Sequence, residues 1–290
     1  MEHLLEPLRA IAEADMATRI DVIRSTRWIK YPVADRILNR LEELLVYPKI
    51  ARMPNLLLVG ETNNGKSVLV NRFCQQHKPY ASLDDEKLVC PVVKVEAPAK
   101  PDEKQLYRKL LDQLNAPYRL ADRTDRMERQ VFHVLQQVGT RMLIIDEIHN
   151  LLAGSSTNQR VFLNVLKGMA NELQIVIVAV GTMEARNAMS ADSQMSNRFV
   201  QKFLPRWQRD EDFLRLLASF ERLLPLRKPS GLAEPALAER IYSLSEVGTI
   251  GEIADVIIQA AVVAIRTGEE RINRNVLDQS DYVSPSARRN

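Results

Sequence analysis

The stretch GETNNGKS, Gly60 to Ser67, lies between the apolar run NLLLV at 55–59 and the helix-patterned VLVNRFCQQ at 68–76. Its spacing, G-x-x-x-x-G-K-[ST], is that of a loop whose backbone N–H groups wrap a triphosphate. The lysine reaches the outer phosphates, and the hydroxyl binds Mg2+. Glycine is required at both ends because a side chain would keep the loop away from the phosphates. The helix that follows aims its positive end at the anion. Gly60, Glu61, Thr62, Asn63, Asn64, Gly65, Lys66, Ser67 and Val68 are therefore the candidate triphosphate-binding residues, with Ser67 a candidate metal ligand.

A second stretch gives the first its chemistry. RMLIIDEIH, residues 141–149, runs four apolar residues into two acids. Open α/β sheets hold their ligands at the C-terminal ends of their strands. Asp146 is placed to hold Mg2+ with Ser67, and Glu147 to orient and deprotonate the attacking water. Further on, the strand pattern 173–181 ends at Gly181 and Thr182. The Thr182 hydroxyl either senses the terminal phosphate or caps the helix that follows. Arg198 stands before a last strand pattern, as an arginine finger for a neighbouring subunit's nucleotide or as a surface cation paired with an acid.

Around these motifs the pattern alternates. Strands are expected at 55–59, 88–97, 141–146, 173–181 and 200–204, and helices at 66–76, 102–115, 124–138 and 158–171. That is a parallel sheet covered on both faces, a three-layer α/β sandwich with five parallel strands. The expected organisation is an N-terminal helical segment (1–50), a nucleotide-binding α/β domain (51–206), a small all-helical domain (207–282) and a disordered tail (283–290). Helices in the third part are expected at about 213–224, 233–244, 250–267 and 272–279, from apolar spacing and from Pro225 and the KPSG at 228–231. In the first part, Leu4, Leu5, Leu8 and Ile11 share one helix face, and Ile37, Leu38, Leu41, Leu44 and Leu45 another. Between them Trp28, Ile29 and Tyr31 form an apolar cluster that serves either as a packing anchor or as a platform for a nucleotide base.

Composition narrows the class. The chain has 290 residues, 46% of them hydrophobic and 27% charged, with a formal net charge of +3. This permits nucleic-acid binding without demanding it. No apolar run approaches the ~20 residues of a membrane span, and the N-terminus lacks the layout of a signal peptide, so a cytoplasmic protein is expected. Cys74 and Cys90 have no metal-ligand spacing and read as core thiols.

Taken in order, GETNNGKS, LIIDEIHNLL, VAVGT, SNRF and the helical tail with VGTIGEIADVI resemble an AAA+ ATPase. The longer phrases MPNLLLVGETNNGKS, DEIHNLLAGS and VGTMEA resemble the bacterial TniB and TnsC transposition ATPases. The resemblance spans roughly Trp28 to Leu277. It implies an AAA+ P-loop fold with a C-terminal helical lid, ATP hydrolysis, and a homo-oligomeric ring or filament on double-stranded DNA, associated with the nucleoid. It further implies recruitment of a DDE transposase, often with a TniQ-like target-selection partner. By position it gives Lys66, Glu147, Thr182 and Arg198 catalytic roles. It also points to Lys100, Lys104, Arg123 and Arg126 as DNA-facing, against a solvated edge balanced by Asp102, Glu103, Asp122 and Asp125. Where related sequences place an arginine at the start of the lid helix, this chain has Glu252 after Gly251, which implies a lid without a cation in cis. A replication initiator or helicase loader, and a nucleotide-gated interaction switch without DNA binding, are the competing readings.

Overall fold

The computed structural model describes residues 1–25, 28–82, 87–152, 156–190, 197–246, 248–280 and 282–283. The chain divides into two compact units, one of residues 33–61 and 66–204, the other of residues 1–32, 62–65 and 205–290.

The first unit is an α/β sandwich. Its strands are β1 (Asn55–Gly60), β2 (Tyr80–Ser82), β3 (Lys87–Val89), β4 (Val92–Glu96), β5 (Met142–Asp146), β6 (Val176–Gly181) and β7 (Phe199–Leu204). Five of them form a parallel sheet in the order β4-β5-β6-β1-β7. The three central strands are buried along their whole length, which is why they read as unbroken apolar runs. The helices of this unit are α3 (Pro32–Leu45), α4 (Lys66–Gln76), α5 (Glu103–Gln113), α6 (Thr124–Gln137), α7 (Ser156–Leu173) and α8 (Met183–Ser190). In α6 the buried residues Met127, Val131, Phe132 and Leu135 repeat at the spacing of one helical face. They join Leu57, Leu106, Leu143 and Leu166 in one core.

One strand differs from its sequence pattern. The apolar run 88–97 is two strands, because Pro91 has no N–H to continue a ladder. Lys87–Val89 pairs antiparallel with Tyr80–Ser82 in a separate hairpin, and Val92–Glu96 joins the main sheet. At the break, the Cys90 N–H donates to Val138 O (2.7 Å), and Pro91 O accepts from the N–H groups of Arg141 and Met142.

The second unit is helical. It contains α1 (Glu6–Ala12), α2 (Met16–Arg24), α9 (Glu211–Glu221), α10 (Pro235–Leu244), α11 (Ile250–Arg266) and α12 (Arg274–Gln279). Ile20, Ile23 and Ile29 sit in one core with Phe213, Leu217, Ile241, Ile253, Val256 and Ile257, so the N-terminal residues fold together with the C-terminal helices. Ile29 is a core residue, and Trp28 and Tyr31 stack at 6.4 Å with Trp207 edge-on to Tyr31 at 5.2 Å. Burial pushes the Tyr31 hydroxyl up to about 12.

Helix α2 lies in the expected helical segment 1–50, but no apolar face marks it, because its buried side carries a charge. Arg19 is 3% exposed, donates twice to Pro225 O (3.1 and 2.9 Å), and pairs with Glu270 through both carboxylate oxygens. Asp15 caps the helix by accepting from the Thr18 N–H (3.0 Å). Past Val283, the expected disordered tail falls outside the described residues.

Candidate active site

Strand β1 ends at Gly60, and a Cβ there would stand 3.2 Å from Leu204 Cβ and 3.3 Å from Leu204 O. Glycine lets β7 close against β1 where the loop begins. The loop then turns through Asn63 (φ 60) and Gly65 (φ 80). Such left-handed residues turn successive N–H groups toward a common point and make an anion-binding concavity. Helix α4 starts at once with Lys66.

Lys66 is 5% exposed, and its Nζ donates to Gly60 O (3.0 Å) and Glu61 O (2.8 Å). Burial pulls its ammonium below the ordinary lysine value, while the negative charges of Glu147, Asp146 and Glu61 oppose that shift. The fold thus gathers Lys66 and both acids in one electrostatic neighbourhood. Ser67 is half-buried in the first turn of α4, and Val68 is exposed beside it.

Asp146 closes β5 and is 3% exposed. Its Oδ1 accepts from the Glu147 N–H (3.0 Å), and its Oδ2 lies 3.0 Å from Lys94 Nζ on β4. Lys94 also donates to Asn71 Oδ1 (2.7 Å). Glu147 has φ 55, a costly conformation for a residue with a Cβ and one that concentrates at functional sites. Its Oε2 lies 3.2 Å from His149 Nδ1, without the alignment of a hydrogen bond.

Thr182 follows β6, which lies between β5 and β1, so it stands at the edge of the sheet shared by Asp146 and Gly60. Its Oγ1 is buried and has no hydrogen-bond partner among the described residues. Only its carbonyl serves α8, accepting from the Arg186 N–H (3.3 Å). Gly181 before it is obligatory, since a Cβ there would stand 2.8 Å from both Ala185 and Ile148.

Arg198 is elsewhere. In the parallel ladder Phe199 is level with Asn55 and Leu204 with Gly60. At ~3.3 Å per residue, Arg198 is roughly 20 Å from the phosphate loop along the strands, at the opposite edge of the sheet. Its carbonyl accepts from the Asn55 N–H, and its Nη1 donates to Asn171 Oδ1 (2.9 Å).

The four basic residues expected to face DNA fall in two short segments, 100–104 and 123–126. Lys100 is exposed after β4, and Lys104 is half-buried in the first turn of α5. Arg123 lies 3.4 Å from Asp125, and Arg126 lies 3.2 Å from Asp122. A cleft of about 420 Å³ is lined by Tyr118, Arg119, Asp122, Arg126 and Gln130.

Lys94 and Asn71 belong to none of the motifs, and His149 ends the acid-bearing stretch without a role read from it. Only the alternation of β4, which turns Lys94 to the side of α4, hints at any of them. The donor set fits Mg2+: one buried carboxylate and one hydroxyl are the hard oxygen ligands that this ion takes alongside phosphate oxygens.

A model of the bacterial TniB protein family matches residues 19–209 of the chain. The chain belongs to the TniB family. No curated protein matches the sequence. Among solved structures, this TniB-family protein is similar to ORC2 of Aeropyrum pernix in its ADPNP-ADP complexes, with a TM-score of 0.61 at 14% identity over 89% of this chain and 70% of that one. Cdc6p of Pyrobaculum aerophilum gives a TM-score of 0.60 at 15% identity over 90% and 69%. ORC1 of Aeropyrum pernix in complex with DNA gives 0.57 at 15% over 90% and 68%. The TniB-family chain thus shares the fold of these proteins, with a five-stranded parallel sheet and a C-terminal helical region. Among its described residues no helix is long and apolar enough to cross a membrane.

Proposed function

We propose that this TniB-family ATPase is an ATP-dependent regulator of DNA transposition. It assembles head to tail on double-stranded DNA as a ring or filament, marks the target, and recruits a DDE transposase with a TniQ-like partner. Residues 51–206 serve as the nucleotide-binding domain and 207–282 as its lid. The observation that carries the reading is the separation of Arg198 from the rest of the set. Lys66, Asp146, Glu147 and Thr182 gather at one edge of the sheet, and Arg198 stands at the other. An arginine so placed serves a neighbouring copy, and a repeated head-to-tail contact generates a ring or a filament.

Gly60 to Val68 hold the triphosphate of ATP, with Lys66 Nζ exchanging its two loop carbonyls for phosphate oxygens. Ser67 and Asp146 hold Mg2+, which when bound neutralises charge on the phosphates. Glu147 orients a water and accepts its proton on the carboxylate as the oxygen joins the terminal phosphorus and the bond to ADP breaks. Thr182 offers its unpaired hydroxyl at the same edge. Trp28 and Tyr31, half-buried before the loop in sequence, suit a purine base. Lys100, Lys104, Arg123 and Arg126 supply phosphate contacts to duplex DNA, which repetition in an oligomer would add together. Hydrolysis then dismantles the assembly.

The test is Glu147→Gln with ATP and duplex DNA. The variant should remain in long assemblies visible by negative-stain electron microscopy, while the unaltered chain disperses as ATP is consumed. Monomeric sedimentation of the variant with ATP and DNA would end this reading. A replication initiator is the second reading, favoured by the fold shared with ORC and Cdc6 proteins. Binding confined to one defined sequence, rather than to duplex DNA in general, would establish it.

A further inference from the structure

The tip of the phosphate loop is hydrogen-bonded to the start of α11, within the same compact unit. Asn64 is 2% exposed. Its Oδ1 accepts from the Ile250 N–H (3.2 Å), and its Nδ2 donates to Pro205 O (3.0 Å). One residue earlier, Asn63 O accepts from the Gly251 N–H (3.0 Å). The fit is close: a Cβ at Gly251 would stand 2.0 Å from Asn63 Oδ1, and one at Gly65 would stand 3.1 Å from Ile250 Cγ2. A helix begins with four N–H groups that have no partner within it. In α11 the first two are taken by the phosphate loop, and Glu252 N–H by Thr249 Oγ1 (3.4 Å).

Asn63 O and the Asn64 N–H belong to one planar peptide and point in opposite directions. With its oxygen on Gly251, that peptide turns its N–H away from α11. An anion accepting from this N–H polarises the same amide and strengthens its oxygen as an acceptor, as in any chain of hydrogen bonds. The first turn of α11, Ile250 to Ile253, has no lysine or arginine with which to read a phosphate directly.

We propose that Asn64 is a positioning residue that, with the Asn63 carbonyl, ties occupancy of the phosphate loop to the start of α11. The loop's own asparagines do this through neutral hydrogen bonds, with no cation from α11. Nucleotide tightens the first turn of α11, and a tightened turn holds the loop in its binding shape, because coupling between two sites is reciprocal. The inference rests on the reading of the loop as a triphosphate site.

The discriminating variant is Ile250→Pro. It deletes the N–H that Asn64 receives, at the first helical position, where proline is well accepted. Thr249 before it is already extended, at φ −83 and ψ 150. Ile250→Val keeps the N–H and is the control. Four chains are compared with the control: the unaltered chain, Asn64→Ala, Ile250→Pro and the double variant. Each is measured for binding of a fluorescent ATP analogue, for hydrogen exchange at residues 251–254 with and without a non-hydrolysable analogue, and for kcat and KM.

In the unaltered chain and in Ile250→Val, nucleotide should slow exchange at Gly251 about tenfold, the scale of one hydrogen bond. In Asn64→Ala and Ile250→Pro the slowing should largely disappear and kcat should fall. The double variant should lose no more than Asn64→Ala alone, since that change already removes the bond to Ile250 together with the one to Pro205 O. Failure of the unaltered chain to bind the analogue would overturn the nucleotide reading and this inference together. Binding without any change of exchange at Gly251, or losses that add in the double variant, would overturn this inference alone.

Discussion

Lys94 Nζ lies 3.0 Å from Asp146 Oδ2, joining the middle of β4 to the last residue of its neighbour β5. Lys94 is level with Ile144 and Glu96 with Asp146, so the lysine reaches forward toward the C-terminal end of β5. Asp146 is almost wholly buried, with Lys94 in direct contact and Lys66 in the same electrostatic neighbourhood. On the proposed reading, a metal held by Asp146 would compete with Lys94 for that carboxylate.

Lys94→Met should test that competition. Removing one partner of a pair whose other member is buried leaves an uncompensated charge, with a cost of up to ~3–5 kcal/mol that the partial exposure of Lys94 reduces. In EDTA the variant should melt several degrees below the unaltered chain. Added Mg2+ with nucleotide should recover most of that loss and stabilise the variant more than the unaltered chain. Equal Mg2+ responses in the two would show that the lysine does not compete.

Thr182→Val separates two uses of one side chain. The hydroxyl is buried without a partner among the described residues, so its loss should leave stability unchanged or raise it by up to ~1 kcal/mol. If the hydroxyl serves the terminal phosphate, hydrolysis should nevertheless fall by about 10²-fold, the scale of one lost donor in a preorganised site. A helix cap would behave the opposite way, losing ~0.5–2 kcal/mol of stability with little change in rate. Thermal denaturation and single-turnover hydrolysis together decide it.

Arg198→Ala addresses the shared site. An arginine finger contributes about 10³–10⁵ in rate, so the variant should bind ATP and barely hydrolyse it. Mixed with Glu147→Gln, it should recover part of the activity, since a mixed contact can join an intact Glu147 to an intact Arg198. No recovery on mixing, with both proteins assembled, would place Arg198 outside the neighbour's site.

Arg19→Met bears on the helical unit alone. Burial works against the charge on Glu270, but hydrogen bonds from Arg19 and Arg227 outweigh it and hold the carboxyl below its ordinary value. A carboxyl lowered by folding contributes stability above the unfolded pKa, ~4.3 for glutamate, and loses it as pH falls through the folded value. The unaltered chain should therefore weaken in acid more steeply than the variant. At neutral pH, removing Arg19 from Pro225 O and Glu270 should cost up to ~3–5 kcal/mol, lessened by the contacts Arg227 keeps with Glu270, read from urea denaturation. Equal acid sensitivity in the two chains would remove the pair from the account.

Much of the α/β unit was legible because its signals are local. NLLLV, MLIID and VIVAVG are continuous apolar runs since both faces of their strands are covered, and each helix between them repeats at its own period. The run 88–97 misled because apolar character says nothing about hydrogen bonds, and Pro91 divides two pairings of opposite direction. Helix α2 was hidden for the converse reason: Arg19 is buried by partners more than two hundred positions away.

What the sequence by itself determined is the chemistry on offer. Gly60, Gly65, Lys66 and Ser67 at that spacing define a phosphate loop, and Asp146 and Glu147 after an apolar strand supply its acids, because spacing along a short segment sets local geometry. Only the tertiary structure decided the neighbours: Lys94 against Asp146, Thr182 left unpaired, Arg198 at the far edge, and Asn64 bonded to Ile250 across 186 positions. Those relationships follow from strand order, register and the docking of helices, which depend on the whole packed core rather than on any one stretch of chain.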